Sequence, residues 1–307
     1  MKQRVEVWAP ATVANMNVGF DALGCALSTP GERMILNRTA HQGEVLIRSI
    51  HGAELDANSE RNVASIAAKS LLQSLGDPCG LELEIFKSIL PGSGIGSSAA
   101  SAAAAVVGVN ELLNAGLSPE ELIPFALDGE SYASGARHAD NVAPALLGGL
   151  VICPPEGPPI AIPPLEDWCL VVLHPHVPIK TSDARAVLPE HVALQDAAAQ
   201  AAWFATFVAA CHSGNGKAAA HALEDLLVGP HRSILIPYYD EVRKLAFSHG
   251  ARAGGISGSG PSTFWVALDP SDAGRIERAL SGFMQRNSVP CSVHISAISG
   301  RGAHSIS

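Results

Sequence analysis

The sequence has few charged and aromatic residues and no basic run. Of its 307 residues, 16% are charged and 5% are aromatic, and the formal net charge is −9. A chain without a Lys/Arg cluster or a basic stripe interleaved with aromatic side chains offers no surface for nucleic acid. We therefore expect small molecules, and not nucleic acid, as partners.

Paired cysteines and membrane segments are also missing. The six cysteines are scattered with no C-x-x-C motif, which favours reduced thiols over a disulfide framework or a zinc site. No apolar run reaches membrane-spanning length, and the first residues alternate like a strand and lack the apolar region of a signal peptide. The expectation is a soluble, cytoplasmic protein with no membrane contact.

Hydrophobic residues are abundant, at 47% of the chain, so a large core or two domains can form. The proline-rich run 154–164 is the best candidate linker, which predicts domains at 1–163 and 164–307. In the second half, helices and strands alternate, which predicts an α+β layer with helices on one face of a small antiparallel sheet. One of these helices, 197–211, is apolar nearly all round and is expected to be buried.

Several local signals place further elements. Pro10 interrupts the predicted first strand, 5–13, which indicates an edge or a bulge. Ser118, Pro119 and Glu121 form the start of a helix with a capping box. A polar stretch at 135–144 is a site candidate. The last predicted elements are a helix at 275–286 and a strand at 291–298.

The most informative stretch is 91–98, which reads Pro-Gly-Ser-Gly-Ile-Gly-Ser-Ser between an alternating strand and an alanine-rich helix. Glycines at alternate positions remove Cβ atoms from one side of a loop, so backbone N–H groups can converge on an anion. The helix beginning at Ser97 adds unpaired donors and a partial positive charge. This strand, loop and helix therefore predict a phosphate-binding cradle.

Other interpretations of the glycine loop stay open at this point. A Walker A loop is excluded, because no Lys precedes the serine pair and the glycines are wrongly spaced. Residues 94–99 do fit the dinucleotide pattern G-x-G-x-x-A, but the second strand with an acidic end that a Rossmann site needs is not evident. A glycine turn without any ligand is the remaining alternative.

Three ordered segments resemble the motifs of the GHMP kinase superfamily: 9–15 with 19–21, then 91–100, then the second glycine-rich loop 254–261. Within the superfamily, 138–144, 184–189 and 230–237 are similar to the homoserine kinase family. The resemblance covers essentially the whole chain. It implies an α+β, two-domain GHMP kinase fold, with an N-terminal domain like part of a ribosomal protein and a ferredoxin-like C-terminal domain.

The resemblance also implies an activity and its residues. The activity is ATP-dependent phosphorylation of the side-chain hydroxyl of L-homoserine on the route to threonine, with Mg²⁺ as cofactor and a possible homodimer. Matching positions imply ATP contacts by Asn62, Lys87, Pro91, Gly92, Ser93, Gly94, Ile95, Gly96, Ser97, Ser98, Ala99 and Ser259. They imply a metal site at Ser98 and Glu130, and a homoserine pocket formed by Asn15, Asp21, His138, Thr181, Arg185 and Arg232.

The resemblance also bears on the chemistry. The position that carries a catalytic Asp in several relatives is Asn141, and an amide takes no proton at neutral pH. With Ser98 and Glu130, Asn141 completes the implied catalytic set, and the neighbouring Asp140 is expected to point away and hold the loop. Two alternatives remain: another small-molecule GHMP kinase, or a non-catalytic ligand sensor, which we would expect to lose its metal ligands or glycines.

Overall fold

In the computed structural model of the protein, residues 2–134 and 137–306 are described. The polar stretch predicted at 135–144 thus begins outside the described residues. In chain order the strands of the described part are β1 (Arg4–Ala14), β2 (Leu23–Thr39), β3 (Val45–His51), β4 (Gly80–Phe86), β5 (Leu150–Ile152), β6 (Ile160–Ile162), β7 (Cys169–Pro175), β8 (Ala253–Ile256), β9 (Thr263–Ala267), β10 (Cys291–Ser296) and β11 (His304–Ser305).

The helices of the described part follow the same order. They are α1 (Val63–Ser74), α2 (Ser97–Leu113), α3 (Pro119–Ser134), α4 (Val142–Leu147), α5 (Thr181–Ala186), α6 (Leu194–His212), α7 (Gly216–His221), α8 (Gly229–Arg232), α9 (Tyr239–Ser248) and α10 (Pro270–Arg286). None of them is both long enough and apolar enough to pass through a membrane.

The first sheet runs in the order β11-β1-β2-β4-β3, with β5 and β6 added beside β2. Its neighbours are antiparallel except β3 and β4, which pair in parallel. The register between β1 and β2 shifts between Pro10 and Thr12, so the pairing is irregular where Pro10 predicted an interruption, but the extra residues, 27–30, lie on β2.

Helices α1, α2 and α4 pack on this sheet, α3 packs on those three helices, and α2 lies at the centre. The alanine-rich α2 packs on β1, β2, α1 and α3, and its residues from Ala99 to Val109 are buried. Small side chains let the neighbouring backbones approach on every side. The predicted capping box is present, since Glu121 accepts from the Ser118 N–H and Ser118 accepts from the Glu121 N–H.

The second sheet has the antiparallel order β10-β7-β9-β8, the ferredoxin-like arrangement that was expected. Helices α9 and α10 cover one face, where Val242 and Ile276 pack with Val171 and Trp265. Helices on one face were expected and are present, but the other face of this sheet is buried as well. Leu170, Val172 and Phe264 on the other face belong to the main core, because the apolar run of β7 supplies buried side chains to both faces.

Helix α6 is also less buried than expected. Phe207, Ala210 and Cys211 are buried, but Leu194 is 85% exposed and the alanines of one face are open to solvent. Alanine counts as apolar in a composition, yet it suits an exposed helical surface equally well. A helix made largely of alanine therefore does not reveal how many of its faces are covered.

The chain end departs from the predicted elements. Helix α10 begins five residues before position 275, with Asp269 as its N-cap. The last predicted strand ends at Ser296 and not at residue 298. Beyond it, the backbone returns to the first sheet and its helices, where Ser299 N donates to Ala26 O and Ala303 N donates to Ala145 O. Strand β11 then pairs with β1, so the first sheet contains residues from both ends of the sequence.

Candidate active site

A cavity of about 870 Å³ lies where the glycine loop, the start of α2, α5 and α8 meet. Its walls contain most of the candidate residues named from the sequence: Asn15, Asp21, Asn62, Lys87, Pro91, Gly92, Ser93, Gly94, Gly96, Ser97, Ser98, Glu130, His138, Asn141, Thr181, Arg185, Arg232 and Ser259. Ile95 and Ala99 do not line it, because their side chains are buried in the core. Only their backbone groups are available to a ligand.

The glycine loop has left-handed backbone at all three glycines, with φ of 72° at Gly92, 80° at Gly94 and 69° at Gly96. A Cβ on Gly94 would overlap the carbonyl of Gly260, and one on Gly96 would overlap the Thr12 hydroxyl. A Cβ on Gly92 would meet only open space. Two of the glycines thus allow close packing against other segments, in addition to the positive φ that all three share.

The second glycine-rich segment is held against the first. Ser262 donates to Ser93 O from both its N–H and its hydroxyl, the latter at 2.6 Å, and the Ser257 hydroxyl donates to Gly94 O at 2.7 Å. The first part of this segment is strand β8 and not loop, so only 257–261 make the predicted turn. The two sheets therefore meet at the loop that was predicted to bind phosphate.

The end of α2 supplies the donors that an anion needs. Within residues 2–134 and 137–306, the backbone N–H groups of 94–99 have no protein acceptor. The hydroxyl of Ser93 in the same loop is buried and has no partner among the described residues. A left-handed Gly96 is the N-cap, so no side chain occupies the helix end. These donors, together with the helix dipole, suit a phosphate group.

Ser98 and Glu130 meet beside this helix end. The Ser98 hydroxyl donates to Glu130 Oε1 at 3.0 Å, and burial raises the pKa of Glu130 to about 7. Two oxygen ligands of this kind, completed by phosphate oxygens and water, fit the way in which proteins hold Mg²⁺. No group of three or more His, Cys, Asp or Glu capable of holding a metal occurs in the part of the chain that the structure describes.

Lys87, one of the implied ATP contacts, lines the cavity but is paired with a buried carboxylate. Its ammonium lies 2.5 Å from Glu32 Oε1 and donates to Ser97 O and to the Ser101 hydroxyl. Both side chains of the ion pair are 2% exposed. Burial raises the pKa of Glu32 and lowers that of Lys87, while the pairing opposes both shifts. Lys87 thus braces the first turn of α2, and Glu32 neutralises much of its charge.

Asn62 also has a structural task. Its Oδ1 caps α1 by accepting from Ala64 N at 3.0 Å, and its Nδ2 donates to Asp56 O at 3.1 Å. The residue still lines the cavity, at the end that also contains Leu55 and Arg61.

The opposite end of the cavity is ionic. Arg185 donates to both carboxylate oxygens of Asp21, at 3.0 Å and 3.2 Å, and its Nη2 lies 2.9 Å from His138 Nε2. Asp21 lies in a loop and has a left-handed backbone, whereas Arg185 belongs to helix α5. Two residues of the implied homoserine pocket, Asp21 and Arg185, are therefore paired with each other.

Arg232 completes this end. It is 3% exposed, donates from Nε to Ala184 O and from Nη1 to Gly258 O, and lies 5.2 Å above the ring of Phe20. Asn15 donates to the same Gly258 carbonyl and accepts from the Asp21 N–H. These bonds fix the cationic end of the cavity to the second glycine loop.

Asp140 was expected to point away from Asn141, but both residues line the cavity. Asn141 has helical φ and ψ at the start of α4, so the alternation of an extended segment does not apply. Burial, reinforced by the charges of Asp21 and Glu130, raises the pKa of Asp140 to about 7. The Oδ1 of Asn141 accepts a hydrogen bond of 2.6 Å from the Thr12 hydroxyl.

Some of the residues at the site were not found from the sequence. Lys180 and Ser182 flank Thr181 on the cavity rim, Tyr132 lines it from α3, and Thr12 lies behind Asn141. Lys180 and Ser182 could have been suspected from their neighbour. Nothing in the sequence marked Tyr132 as a site residue, because it fits the alternation of apolar and polar residues of helix α3.

Comparison with known proteins identifies the family. Residues 62–149 match the family described as GHMP kinases N terminal domain, and residues 206–286 match GHMP kinases C terminal. A homoserine kinase of Xanthomonas campestris pv. campestris is 42% identical over 85% of this chain and 81% of its own length. One of Chloroherpeton thalassium is 38% identical over 91% of this chain and 92% of its own length.

A solved structure extends the likeness to the whole fold. The crystal structure of homoserine kinase from Cytophaga hutchinsonii superposes with a TM-score of 0.95 at 37% identity, covering 100% of this chain and 98% of that one. With the sequence relatives and both domain matches, this agreement shows that the chain belongs to the homoserine kinases of the GHMP kinase family.

Proposed function

We propose that the protein transfers the γ-phosphoryl group of ATP to the side-chain hydroxyl of L-homoserine, forming O-phospho-L-homoserine for threonine biosynthesis. One observation carries the proposal: a single cavity joins the donor-rich start of α2 to the ionic end at Asp21, Arg185 and Arg232. The first end suits a triphosphate, and the second suits a zwitterionic amino acid.

At the phosphate end, the backbone N–H groups of 94–99 and the hydroxyl of Ser93 are the proposed ligands of the phosphates. Pro91, Gly92 and Ser259 form the adjoining wall, and Asn62 marks the end proposed for adenine. Ser97 contributes through its backbone only, because its hydroxyl donates to Ile89 O. Lys87 acts indirectly, by fixing the turn from which these donors project.

Ser98 and Glu130 are the residues proposed to hold Mg²⁺. When bound, the ion would neutralise charge on the phosphate oxygens. Because burial raises the pKa of Glu130 to about 7, the carboxylate that a cation would need is favoured as pH rises above neutral, and the Ser98 hydroxyl oxygen, 3.0 Å from Oε1, would be the second ligand.

At the homoserine end, Asp21 is the proposed partner of the ammonium, and Arg185 and Arg232 are the proposed partners of the carboxylate. His138 and Thr181 supply neighbouring polar groups. Asp21 and Arg185 pair with each other in this structure. A zwitterionic substrate can supply each of them with a new partner, an ammonium for Asp21 and a carboxylate for Arg185. A substrate with one charge would separate the pair and leave one of the two residues without a partner.

We propose that the hydroxyl attacks directly and that its proton passes to a phosphate oxygen. Phosphoryl transfer gains most from alignment and charge neutralisation, so a strong base is unnecessary. Asn141 orients the reacting oxygens by hydrogen bonding. The alternative is that Asp140 acts as a general base, since a carboxylate whose pKa is about 7 can accept a proton.

The pH profile of kcat separates the two possibilities. In the base-free reaction, Asp140→Asn keeps an acidic limb like that of the wild type, and raising the Mg²⁺ concentration shifts that limb to lower pH, as competition at Glu130 requires. A limb that disappears only in Asp140→Asn, with a loss of several orders of magnitude in kcat, would establish Asp140 as the base.

The substrate is tested by ADP release across four alcohols: homoserine, mevalonate, galactose and shikimate. Turnover restricted to homoserine supports the proposal. Preference for another alcohol would make the protein a different small-molecule GHMP kinase, and binding of homoserine without ADP release would make it a ligand sensor.

Three broader proposals accompany this one. A domain boundary near residue 163 is supported by its position between the two matched family segments.

A cytoplasmic location is supported by six cysteines that are all free thiols. A homodimer is supported by exposed apolar side chains such as Leu194 and Ile234, and sedimentation would test it.

A further inference from the structure

Thr12 connects three segments at the centre of the cavity wall. It follows the register shift between β1 and β2 and is fully buried. Its N–H donates to Ile95 O in the glycine loop at 3.1 Å, and its hydroxyl donates to Asn141 Oδ1 at 2.6 Å. Thr12 thus joins the strand to the loop that carries the proposed phosphate ligands and to the residue proposed to orient the reacting oxygens.

The length of the second bond indicates which end of the amide it uses. A donor–acceptor separation of 2.6 Å is typical of O–H···O bonds, whereas N–H···O bonds are commonly about 2.9–3.0 Å. The hydroxyl therefore donates to Oδ1, and the Nδ2 of Asn141 is directed elsewhere. In the part of the chain that the structure describes, Nδ2 has no protein acceptor, and the side chain does not cap α4.

Gly96 allows this pair to lie directly against the helix end. A Cβ at position 96 would overlap the Thr12 hydroxyl and would lie 3.1 Å from Asn141 Oδ1. Gly96 is the N-cap of α2, so the amide is adjacent to the N–H groups proposed to bind phosphate. In the described part of the chain both hydrogens of Nδ2 are therefore without a protein acceptor, in a residue that lines the cavity beside those N–H groups.

We propose that Thr12 is a positioning residue, whose hydroxyl holds the Asn141 amide with Nδ2 toward the reacting oxygens. In this orientation the amide is a donor, so it stabilises negative charge on the acceptor oxygen or the transferred phosphoryl group and accepts no proton. The inference rests on the proposed phosphoryl transfer, and it adds the residue that sets the orientation of Asn141.

The test compares Thr12→Val with Thr12→Ser. Valine removes the hydroxyl at similar volume, and serine keeps it. A misplaced oxyanion donor in other enzymes lowers kcat by about 100-fold or more. We expect Thr12→Val to lower kcat by at least about 10-fold, with both KM values within about threefold of wild type, and Thr12→Ser to restore most of the rate.

A double-mutant cycle with Asn141→Ala shows whether Thr12 acts through the amide. If it does, Thr12→Val lowers kcat in the wild-type background and produces no further loss in Asn141→Ala. An equal loss in both backgrounds, a Thr12→Ser variant as slow as Thr12→Val, or a Thr12→Val variant as fast as wild type would each overturn the inference.

Two controls keep these outcomes distinct. Thermal unfolding of every variant reports any loss of structure, and Thr12→Ala replaces Thr12→Val in the cycle if valine prevents folding. The cycle is run with whichever alcohol of the four-compound panel the wild type phosphorylates fastest. Failure of the wild type on homoserine therefore refutes the proposed substrate and leaves the inference about Thr12 testable.

Discussion

Glu130 is the single residue whose protonation should be most visible in kinetics. Its pKa of about 7 means that a proton competes with Mg²⁺ for the same oxygens below neutral pH. We predict that the apparent Mg²⁺ affinity falls by about tenfold per pH unit below pH 7, the limit for one competing proton. Mg²⁺ titrations of the rate at pH 6, 7 and 8 measure this. Glu130→Ala should lower turnover severely at every pH.

The same carboxyl affects stability with a definite sign. Its folded pKa lies above the ordinary value of 4.5, so the folded state binds more protons between pH 4.5 and about 7. Its contribution to the free energy of unfolding therefore falls as pH rises through that window. Glu130→Gln should flatten this part of the Tm profile, and Glu120→Gln, an exposed position on the same helix, should not.

The proposed metal site has its own test in Glu130→Ala. Near-normal turnover of that variant would show that the metal is held elsewhere.

Arg232 permits a matched test of substrate recognition. We predict that Arg232→Leu raises the KM for homoserine by at least about tenfold, because an unpaired buried charge costs several kcal/mol. The KM for ATP should move little. Tm should also fall, since the Ala184 carbonyl loses the Arg232 donor and the Gly258 carbonyl keeps only the one from Asn15.

The control is Arg243→Leu. This exposed arginine also lies 5.2 Å above an aromatic ring, that of Phe247, but it does not line the cavity. Steady-state kinetics for both substrates should therefore match wild type. Equal use of an analogue of homoserine that lacks the carboxylate would contradict the role of Arg232.

At the scale of elements, the glycine loop can be tested one glycine at a time. Gly94 and Gly116 both have positive φ, at 80° and 72°, but only Gly94 faces a backbone carbonyl. Alanine at Gly116 should destabilise by about 1–2 kcal/mol, the energy of a left-handed L-residue. Alanine at Gly94 should lower Tm further and weaken nucleotide binding, because the loop must move away from Gly260.

Thermal unfolding with and without a non-hydrolysable ATP analogue measures both effects. The structural interpretation fails if Gly94→Ala keeps the wild-type Tm shift on adding the analogue while losing no more stability than Gly116→Ala.

Elements with local signals were predicted well from the sequence. The start of α2 at Ser97, the capping box before α3 and the irregular pairing at Pro10 each depend on residues a few positions apart. Elements that depend on distant partners were not. Strand β11 is two residues long and exists because β1 offers an edge, and alanine in α6 is compatible with either environment.

The same distinction applies within the site. Most candidate residues inside the recognised motifs line the cavity, because the motifs form its loops, although Ile95 and Ala99 do not. Their partners were less predictable. Lys87 is neutralised by Glu32, and Asn141 is held by Thr12 from 129 positions away. A sequence pattern identifies the residues at a ligand, but the contacts behind them follow only from the folded backbone.

At the scale of the whole molecule, the two units should unfold together. Ser257 and Ser262 bond the second unit to Ser93 and Gly94 of the first, and one core includes residues of both sheets. We predict a single urea transition, with far-UV circular dichroism and tryptophan fluorescence giving the same midpoint. A tryptophan transition that precedes the loss of secondary structure would show that the units unfold independently.

The return of the chain end to the first sheet also sets an order in time. During synthesis, β1 to β4 leave the ribosome long before β11. The residues between β4 and β11, which include the whole second sheet, must be translated first. At about 5–20 residues per second, that interval is on the order of ten seconds. Throughout it, the outer edge of β1 at Val7 and Trp8 lacks its final neighbour. The nascent chain thus carries an open strand edge until β11 emerges, and that interval is when chaperone binding or mispairing would compete with folding.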